Sequence, residues 1–431
     1  SKYLTRITTN PTYNKLRKDI WDISGKIPTF SKQIQRFIKK TEGSIKAYLT
    51  PGSLFEELGL RYIGPIDGHD INEMINIFKT VRKMNTPVLL HVYTDKTRKL
   101  KQNESDAIKY YSLSGKKNTK NINNKISYSK VLGESLFNLA NHFDFTCVTA
   151  AMKIGTGLSR YSDNYKNRYI DVGIAEGHAV TYAAGLSAAG ILPIIPIYST
   201  FMQRAYDNII HDFALQSLPG IFCMDRSGIV GNDGPTHHGV FDISFMKTIP
   251  GMIVSAPKDG NELYNILYTG IKNRLLLSIR YPKSLTNFDS KHKPEELNIG
   301  EWELIKTGHN ICVFATGSMV EECMKLIKNY SSLKITLINC RFIKPIDNKM
   351  IDKLVKNHNI FYTFEEGILS GGFGTEILEY FQKNKIYKKI YINGINDTFT
   401  THANRNDLLN KLKLNSESIY EIIKNNNNDK I

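Results

Sequence analysis

Three apolar runs, residues 169–172, 192–197 and 220–224, each end abruptly in polar, titratable side chains. Short apolar runs of this kind suit strands buried on both faces, and chemistry at their carboxyl ends is the habit of an open parallel α/β sheet. The alternation extends on both sides. A helix is predicted from about Tyr128 to Phe143, followed by strand 146–150, strand 169–172, helix 179–189, strand 192–197, helix 200–217, strand 220–224, strand 252–255, helix 259–273 and strand 276–280. A second alternation gives strand 309–315, helix 319–329, strand 333–339, a segment 345–356, strand 360–365, helix 371–383 and strand 390–392. Upstream, helix 54–58 stops at Gly59, and strand 61–63 runs into a loop over 64–70 forced by Gly and Pro. Helix 71–83 is amphipathic, with apolar positions 71, 74, 75, 78 and 81, and strand 86–93 follows it. Residues 31–48 carry the pattern of a surface helix, and 94–125 and 283–300 read as polar linkers. The prediction is an α/β protein of three units with mostly parallel sheets and no internal repeat.

Composition changes this picture little. A chain of 431 residues holds two or three cores. The formal charge of +16 comes from Lys and Arg spread along the chain, without the basic–aromatic pattern of a nucleic-acid binder, so a solvated basic surface is expected. Residues 179–197 are almost free of charge, but their prolines and glycines fit a buried helix followed by a buried strand better than a membrane span. Five cysteines with no C-x-x-C read as reduced core residues of a reducing compartment. No signal-peptide pattern opens the chain, and because it begins at Ser1 without Met a preceding segment is expected.

Candidate chemistry clusters at the strand ends. Glu176 sits between a strand and a helix, where a carboxylate favours the helix dipole. Its small neighbours Gly173, Ala175 and Gly177 also admit a flat ligand, and a carboxyl in an apolar pocket exchanges a proton with a ring nitrogen. Tyr198, Phe201 and Arg204 recur every third residue after the next strand, with Phe201 either core or a stacking platform. The loop G-I-V-G-N-D-G-P-T-H-H-G carries Asp233, His237 and His238, read as acid–base or hydrogen-bonding groups, with metal ligation a weaker reading. Arg226 and Arg280 each follow a strand and suit either a phosphate or an ordinary salt bridge. The run E-E-G-I-L-S-G-G-F-G-T-E is similar to an anion-binding glycine loop, although helix-start packing explains it as well, and His402 reads as structural.

Five segments together carry a family resemblance: R-Y-I-G-P-I-D-G-H-D (61–70), I-A-E-G-H-A-V-T-Y-A-A-G (174–185), I-Y-S-T-F-M-Q-R-A-Y-D (197–207), D-R-S-G-I-V-G-N-D-G-P-T-H-H-G (225–239) and R-Y-P (280–282). The chain resembles the 1-deoxy-D-xylulose-5-phosphate synthases, a family of transketolase-like thiamine-diphosphate enzymes, over nearly its whole length. The resemblance implies three transketolase-like α/β domains, the first partial: 1–120 a remnant of the diphosphate-binding domain with its linker, 125–290 the pyrimidine-binding domain, and 300–431 the C-terminal domain. It implies condensation of pyruvate, with loss of CO2, onto D-glyceraldehyde 3-phosphate, with thiamine diphosphate and Mg2+ as cofactors. Glu176 would serve the aminopyrimidine nitrogen and Phe201 would stack on that ring, with Ile174 and Met152 completing the cofactor contacts. His69, Tyr198, Asp233 and His237 would line the substrate site and move protons, and Arg204, Arg226 and Arg280 would bind the acceptor phosphate. A homodimer is implied, with the site between the first and second domains of one chain.

The chain departs from the family pattern in three places. It has no G-D-G and following Asn for the diphosphate and its metal, so no metal ligand is expected in this chain. Gly177 stands where the family has Gln, and D-K-T-R-K-L-K replaces a K-G-x-G-Y run after strand 86–93. Two other readings compete: the β-type half of a two-chain thiamine enzyme, and a non-catalytic α/β scaffold. The Asn- and Lys-rich linkers and tail suggest an AT-rich genome, for which the resemblance points to the stroma of an apicomplexan plastid, the alternative being a bacterial cytoplasm.

Overall fold

A computed structural model describes residues 52–95 and 125–426, which fall in two compact units. The helix expected over 31–48, most of the linker 94–125 and the end of the tail lie outside the described residues.

The first unit runs helix Ser53–Glu57, strand β1 (Arg61–Asp67), helix Ile71–Val81 and strand β2 (Val88–Tyr93), with β1 and β2 parallel. The Gly64–Asp70 loop is a correction: β1 continues through Gly64 and Pro65, with an irregular register between Ile63 and Ile66. Gly64 permits this, because it has a φ of +144° and a Cβ there would lie 2.5 Å from the His91 carbonyl oxygen. Asp70 caps the following helix by accepting from the Glu73 amide at 3.0 Å. The predicted apolar stripe divides. Ile77 is buried on Ile63 and Ile66, Met74 and Val81 pack against them, and Ile71, Ile75 and Phe78 are exposed.

The second unit begins with β3 (Lys125–Ser127), β4 (Phe145–Thr149), β5 (Tyr169–Asp171), β6 (Leu192–Tyr198), β7 (Gly220–Asp225), β8 (Ile253–Ser255), β9 (Leu276–Arg280) and β10 (Leu285–Asn287). It continues with β11 (Glu303–Lys306), β12 (Asn310–Ala315), β13 (Ile335–Asn339), β14 (Phe342–Lys344), β15 (His358–Ile368) and β16 (Lys389–Ile395). Two sheets dominate. One has the order β14-β8-β9-β7-β6-β4-β5 and is parallel except at β14–β8; the other has the order β11-β13-β12-β15-β16 and is parallel except at β11–β13. The expected mostly parallel α/β architecture is what forms. Strands β4 and β7 are buried along their full length, and so is β6 except at Tyr198, because helices cover both faces of the sheet.

Several short elements escaped the pattern. Strands β3 and β10 pair antiparallel, so β10 lies inside the predicted linker 283–300. Strand β14 follows the second sheet's β13 yet joins the first sheet. One apolar cluster spans both sheets and includes Phe222, Met224, Trp302, Phe314 and Ile338. The helix expected over 200–217 is broken: α-helix Ser199–Met202, a 3-10 turn Gln203–Ala205, α-helix Tyr206–Asn208 and a π-helical turn Ile209–Ala214. Such breaks often mark functional sites. All five cysteines are free and buried, and burial holds their thiols above the ordinary range. Among the described residues, no helix is long and apolar enough to cross a membrane.

Candidate active site

The ends of β5, β6, β7 and β9 supply the site. After β5, Asp171 accepts from the amides of Ala151 (2.8 Å) and Gly173 (3.0 Å), which turns the chain into helix Glu176–Ala188. Glu176 is the first residue of that helix and only 3 % exposed. Its setting corrects the purely apolar pocket expected for it: Arg204 Nη1 donates to Glu176 Oε1 at 3.0 Å. The 3-10 turn Gln203–Ala205 carries that arginine. Arg204 is therefore engaged with Glu176 through Nη1 and with the ring of Phe201, 5.0 Å from its guanidinium carbon. Beside this pair Ile174 is 84 % exposed, offering apolar surface next to a buried carboxylate.

After β6, Tyr198 and Phe201 stack with centroids 5.7 Å apart, and Phe201 meets His237 edge-on at 5.2 Å. Met152 is buried; its sulfur receives the Tyr198 amide at 3.3 Å, which places it beneath this platform. Burial raises the Tyr198 hydroxyl above its usual range. His237 shares a hydrogen bond with the Thr236 hydroxyl at 2.9 Å.

After β7, Asp225 is fully buried and takes a hydrogen bond from Ser129 Oγ at 2.7 Å and one from Arg226 Nη1 at 2.7 Å. Burial raises its carboxyl, and Arg226 opposes that rise. Arg226 has a φ of +61° and also donates to the Gly155 carbonyl at 2.9 Å. Its Nε lies 3.7 Å from Asp233, and Lys283 Nζ contacts both Asp233 oxygens at 2.6 and 2.7 Å. Lys283 and Asp225 were missed in the sequence. Lys283 directly follows R-Y-P, the one signal that pointed to it.

Two candidates move away from this cluster. Arg280 is 4 % exposed, its Nε faces both Asp242 oxygens at 3.1 Å, and its Nη2 donates to the Glu366 carbonyl at 2.9 Å. Those partners engage its Nε and Nη2. His238 accepts from the Val230 amide at Nδ1, leaving Nε2–H for the Thr401 carbonyl at 3.3 Å, and burial lowers its pKa. It pins the loop rather than facing the platform. His69 belongs to the first unit, where its Nε2 accepts from the Asp95 amide at 2.8 Å.

The described residues suit the pyrimidine end of thiamine diphosphate: a buried carboxylate, small neighbours and an aromatic platform. The glycine loop at 365–376 is occupied by the protein's own anion, Glu365. The Glu365 carboxylate accepts from the Phe373 and Gly374 amides at 2.8 Å each, at the start of helix Phe373–Lys383. Among the described residues no three His, Cys, Asp or Glu side chains gather as a metal site.

Comparison with known proteins gives three family matches. The model described as 1-deoxy-D-xylulose-5-phosphate synthase covers residues 1–94, the transketolase pyrimidine binding domain 124–288, and the transketolase C-terminal domain 300–419. A 1-deoxy-D-xylulose-5-phosphate synthase of Lachnoclostridium phytofermentans is 40 % identical over 433 residues, covering 98 % of this chain and 69 % of that protein. The Syntrophus aciditrophicus enzyme of the same name is 39 % identical, covering 94 % of this chain and 64 % of its own length. The Aquifex aeolicus one is 38 % identical, covering 98 % and 68 %. The chain thus spans about two thirds of the length of these relatives. Among solved structures, a split-gene transketolase forming an inactive β4 tetramer aligns with a TM-score of 0.63 at 21 % identity, over 70 % of this chain and 98 % of that one. Campylobacter jejuni transketolase aligns with a TM-score of 0.58 at 14 % identity, over 88 % of this chain and 70 % of that one. These two likenesses concern the fold alone.

Proposed function

The chain belongs to the 1-deoxy-D-xylulose-5-phosphate synthase family, transketolase-type transferases that use thiamine diphosphate in isoprenoid biosynthesis, and from that membership we propose how its residues serve the reaction. The reaction joins pyruvate, with loss of CO2, to D-glyceraldehyde 3-phosphate. Thiamine diphosphate, when bound, supplies the electron sink that decarboxylation of a 2-oxo acid requires. Glu176 holds a proton at a pyrimidine ring nitrogen, and Arg204 on its Oε1 orients the carboxylate. Phe201, braced by Tyr198 and His237, forms the face of the ring pocket. His237 and Asp233 hold and move protons at the acceptor's aldehyde and hydroxyl. Arg226 and Lys283 supply the cationic surface for its phosphate.

The observation that carries this reading is the buried Glu176 carboxylate beside the Tyr198–Phe201–His237 platform. The match of residues 1–94 to the synthase model favours it over the β-type half of a two-chain enzyme, and a non-catalytic scaffold gives no reason for so many polar groups at adjacent strand ends. Mg2+ as the second cofactor, a homodimer, a further role of the product in thiamine biosynthesis and a place in the apicoplast stroma belong to the same proposal. They rest on the resemblance and on the Asn- and Lys-rich segments. The test is Glu176→Gln in the full-length protein. Turnover of pyruvate with D-glyceraldehyde 3-phosphate should fall by about a hundredfold or more. Turnover equal to that of the unaltered protein sinks the assignment.

A further inference from the structure

In the second sheet, β12 leads through helix Met319–Asn329 to β13 on one side, and β15 leads through helix Phe373–Lys383 to β16 on the other. Connections therefore diverge between β12 and β15. The crevice beyond the carboxyl ends at such a point is where an open parallel sheet usually holds a ligand. Here it holds main chain from the loop that carries Asp233 and His237.

Glu366, near the end of β15, is 1 % exposed. Its Oε1 accepts from the Ile229 amide at 2.6 Å, and its Oε2 accepts from the Ser318 hydroxyl and from Arg405 Nη2. Arg405 Nε donates to the Ile229 carbonyl at 3.1 Å. One bonded Glu–Arg pair thus meets both polar groups of a single residue, as a neighbouring strand would. Ile229 itself is buried among Val313, Ala315 and Tyr362 of that sheet. Gly228, at φ +73°, lies so close that a Cβ would come within 2.7 Å of the Glu366 side chain. The mutual Gly228–Gly239 backbone bonds, 2.7 and 2.9 Å, close the loop's base, and His238 reaches the Thr401 carbonyl.

We infer that this crevice is a clamp for the acceptor loop, with Glu366 and Arg405 as positioning residues. They never reach the acceptor; they set where Asp233 and His237 stand. A plain salt bridge between Glu366 and Arg405 needs only their two charges, whereas here Glu366 Oε1 and Arg405 Nε are engaged by the amide and the carbonyl of one loop residue, Ile229. The inference rests on the acceptor role proposed above for that loop.

The test uses the full-length protein with Glu366→Ala, Arg405→Gln and Glu366→Gln. Amide hydrogen exchange is followed at Ile229 and across 230–238. Kinetics give the KM for D-glyceraldehyde 3-phosphate, and titration gives the affinity for thiamine diphosphate. In Glu366→Ala and Arg405→Gln, exchange should quicken by about tenfold and that KM should rise by about tenfold, with cofactor affinity held within about twofold. Glu366→Gln keeps an acceptor for Ile229 and should recover part of both losses. Unchanged exchange overturns the clamp, as does a KM that stays constant while exchange quickens, or an equal loss of cofactor affinity. If Glu366→Ala does not fold, Arg405→Gln decides by the same criteria. Failure of the unaltered protein to turn over this substrate pair would remove the functional reading, and the exchange comparison would still decide whether the pair holds the loop.

Discussion

Arg226 lays its guanidinium over the ring of Tyr198, 3.7 Å from carbon to centroid. The contact fixes the arginine's face, while Asp225 and the Gly155 carbonyl fix its Nη1. Gly155 also abuts the Tyr198 hydroxyl, and a Cβ there would lie 1.7 Å from that oxygen.

Gly155→Ala should therefore displace Tyr198 and loosen Arg226. The expected cost is about 1–3 kcal/mol of stability from overpacking. Thermal unfolding and the KM for D-glyceraldehyde 3-phosphate check this. A midpoint and KM equal to those of the unaltered protein would show that the ring has room to move.

Lys283 and Arg226 share the Asp233 carboxylate. If their joint role is to receive a phosphate, Lys283→Ala should weaken the phosphorylated acceptor by about tenfold, the scale of one charge-assisted hydrogen bond. Stability should move by no more than about 0.5 kcal/mol, because the lysine is half exposed. Unphosphorylated D-glyceraldehyde provides the control. An equal loss with both aldehydes would point to the Asp233 geometry instead of the phosphate.

Glu365 gives a pH dependence. Burial pushes its carboxyl up to about 7, opposed by the Phe373 and Gly374 amides and by the charges of Arg280 and Lys247. A raised folded-state pKa means that the fold binds an extra proton between the ordinary value of 4.5 and about 7. Stability is then fully present below that window and is lost as pH rises through it, by on the order of 3 kcal/mol. The thermal midpoint should fall from pH 5 to pH 8. In Glu365→Gln that part of the slope should vanish. The variant should also start lower at pH 5, because one helix-start amide loses its acceptor. Parallel slopes for the two proteins would show that another group titrates.

Much of this is legible in the amino-acid sequence. Strands β6 and β7 read correctly because a strand covered on both faces is one continuous apolar run. The residues at their ends, Tyr198 and Arg226, meet because adjacent parallel strands end side by side. Partners distant in sequence were not legible. Arg226 and Arg280 have the same local setting, each at or just after a strand end, yet one faces Asp233 and the other is closed on Asp242 and Glu366. Nothing near Asp225 announces Ser129, 96 positions away. The broken helix after Tyr198 carries an unbroken helical pattern, and its breaks appear only where Arg204 turns to Glu176. The three-residue strands β3, β10 and β14 are too short to show any period.

Strand β14 gives the C-terminal segment, residues 300–431, a second duty. Its residues Phe342–Lys344 pair antiparallel with β8 and form the outermost strand of a sheet otherwise built by residues 145–280. Lys344 fastens it by donating to the carbonyls of Lys247 (2.9 Å) and Ile249 (2.5 Å). A chain severed between 283 and 300 would bare the main-chain donors and acceptors of β8, an invitation to strands of other molecules. The C-terminal segment is in this sense a built-in guard against edge-to-edge association, covering an adhesive margin that the seven-stranded sheet cannot cover for itself.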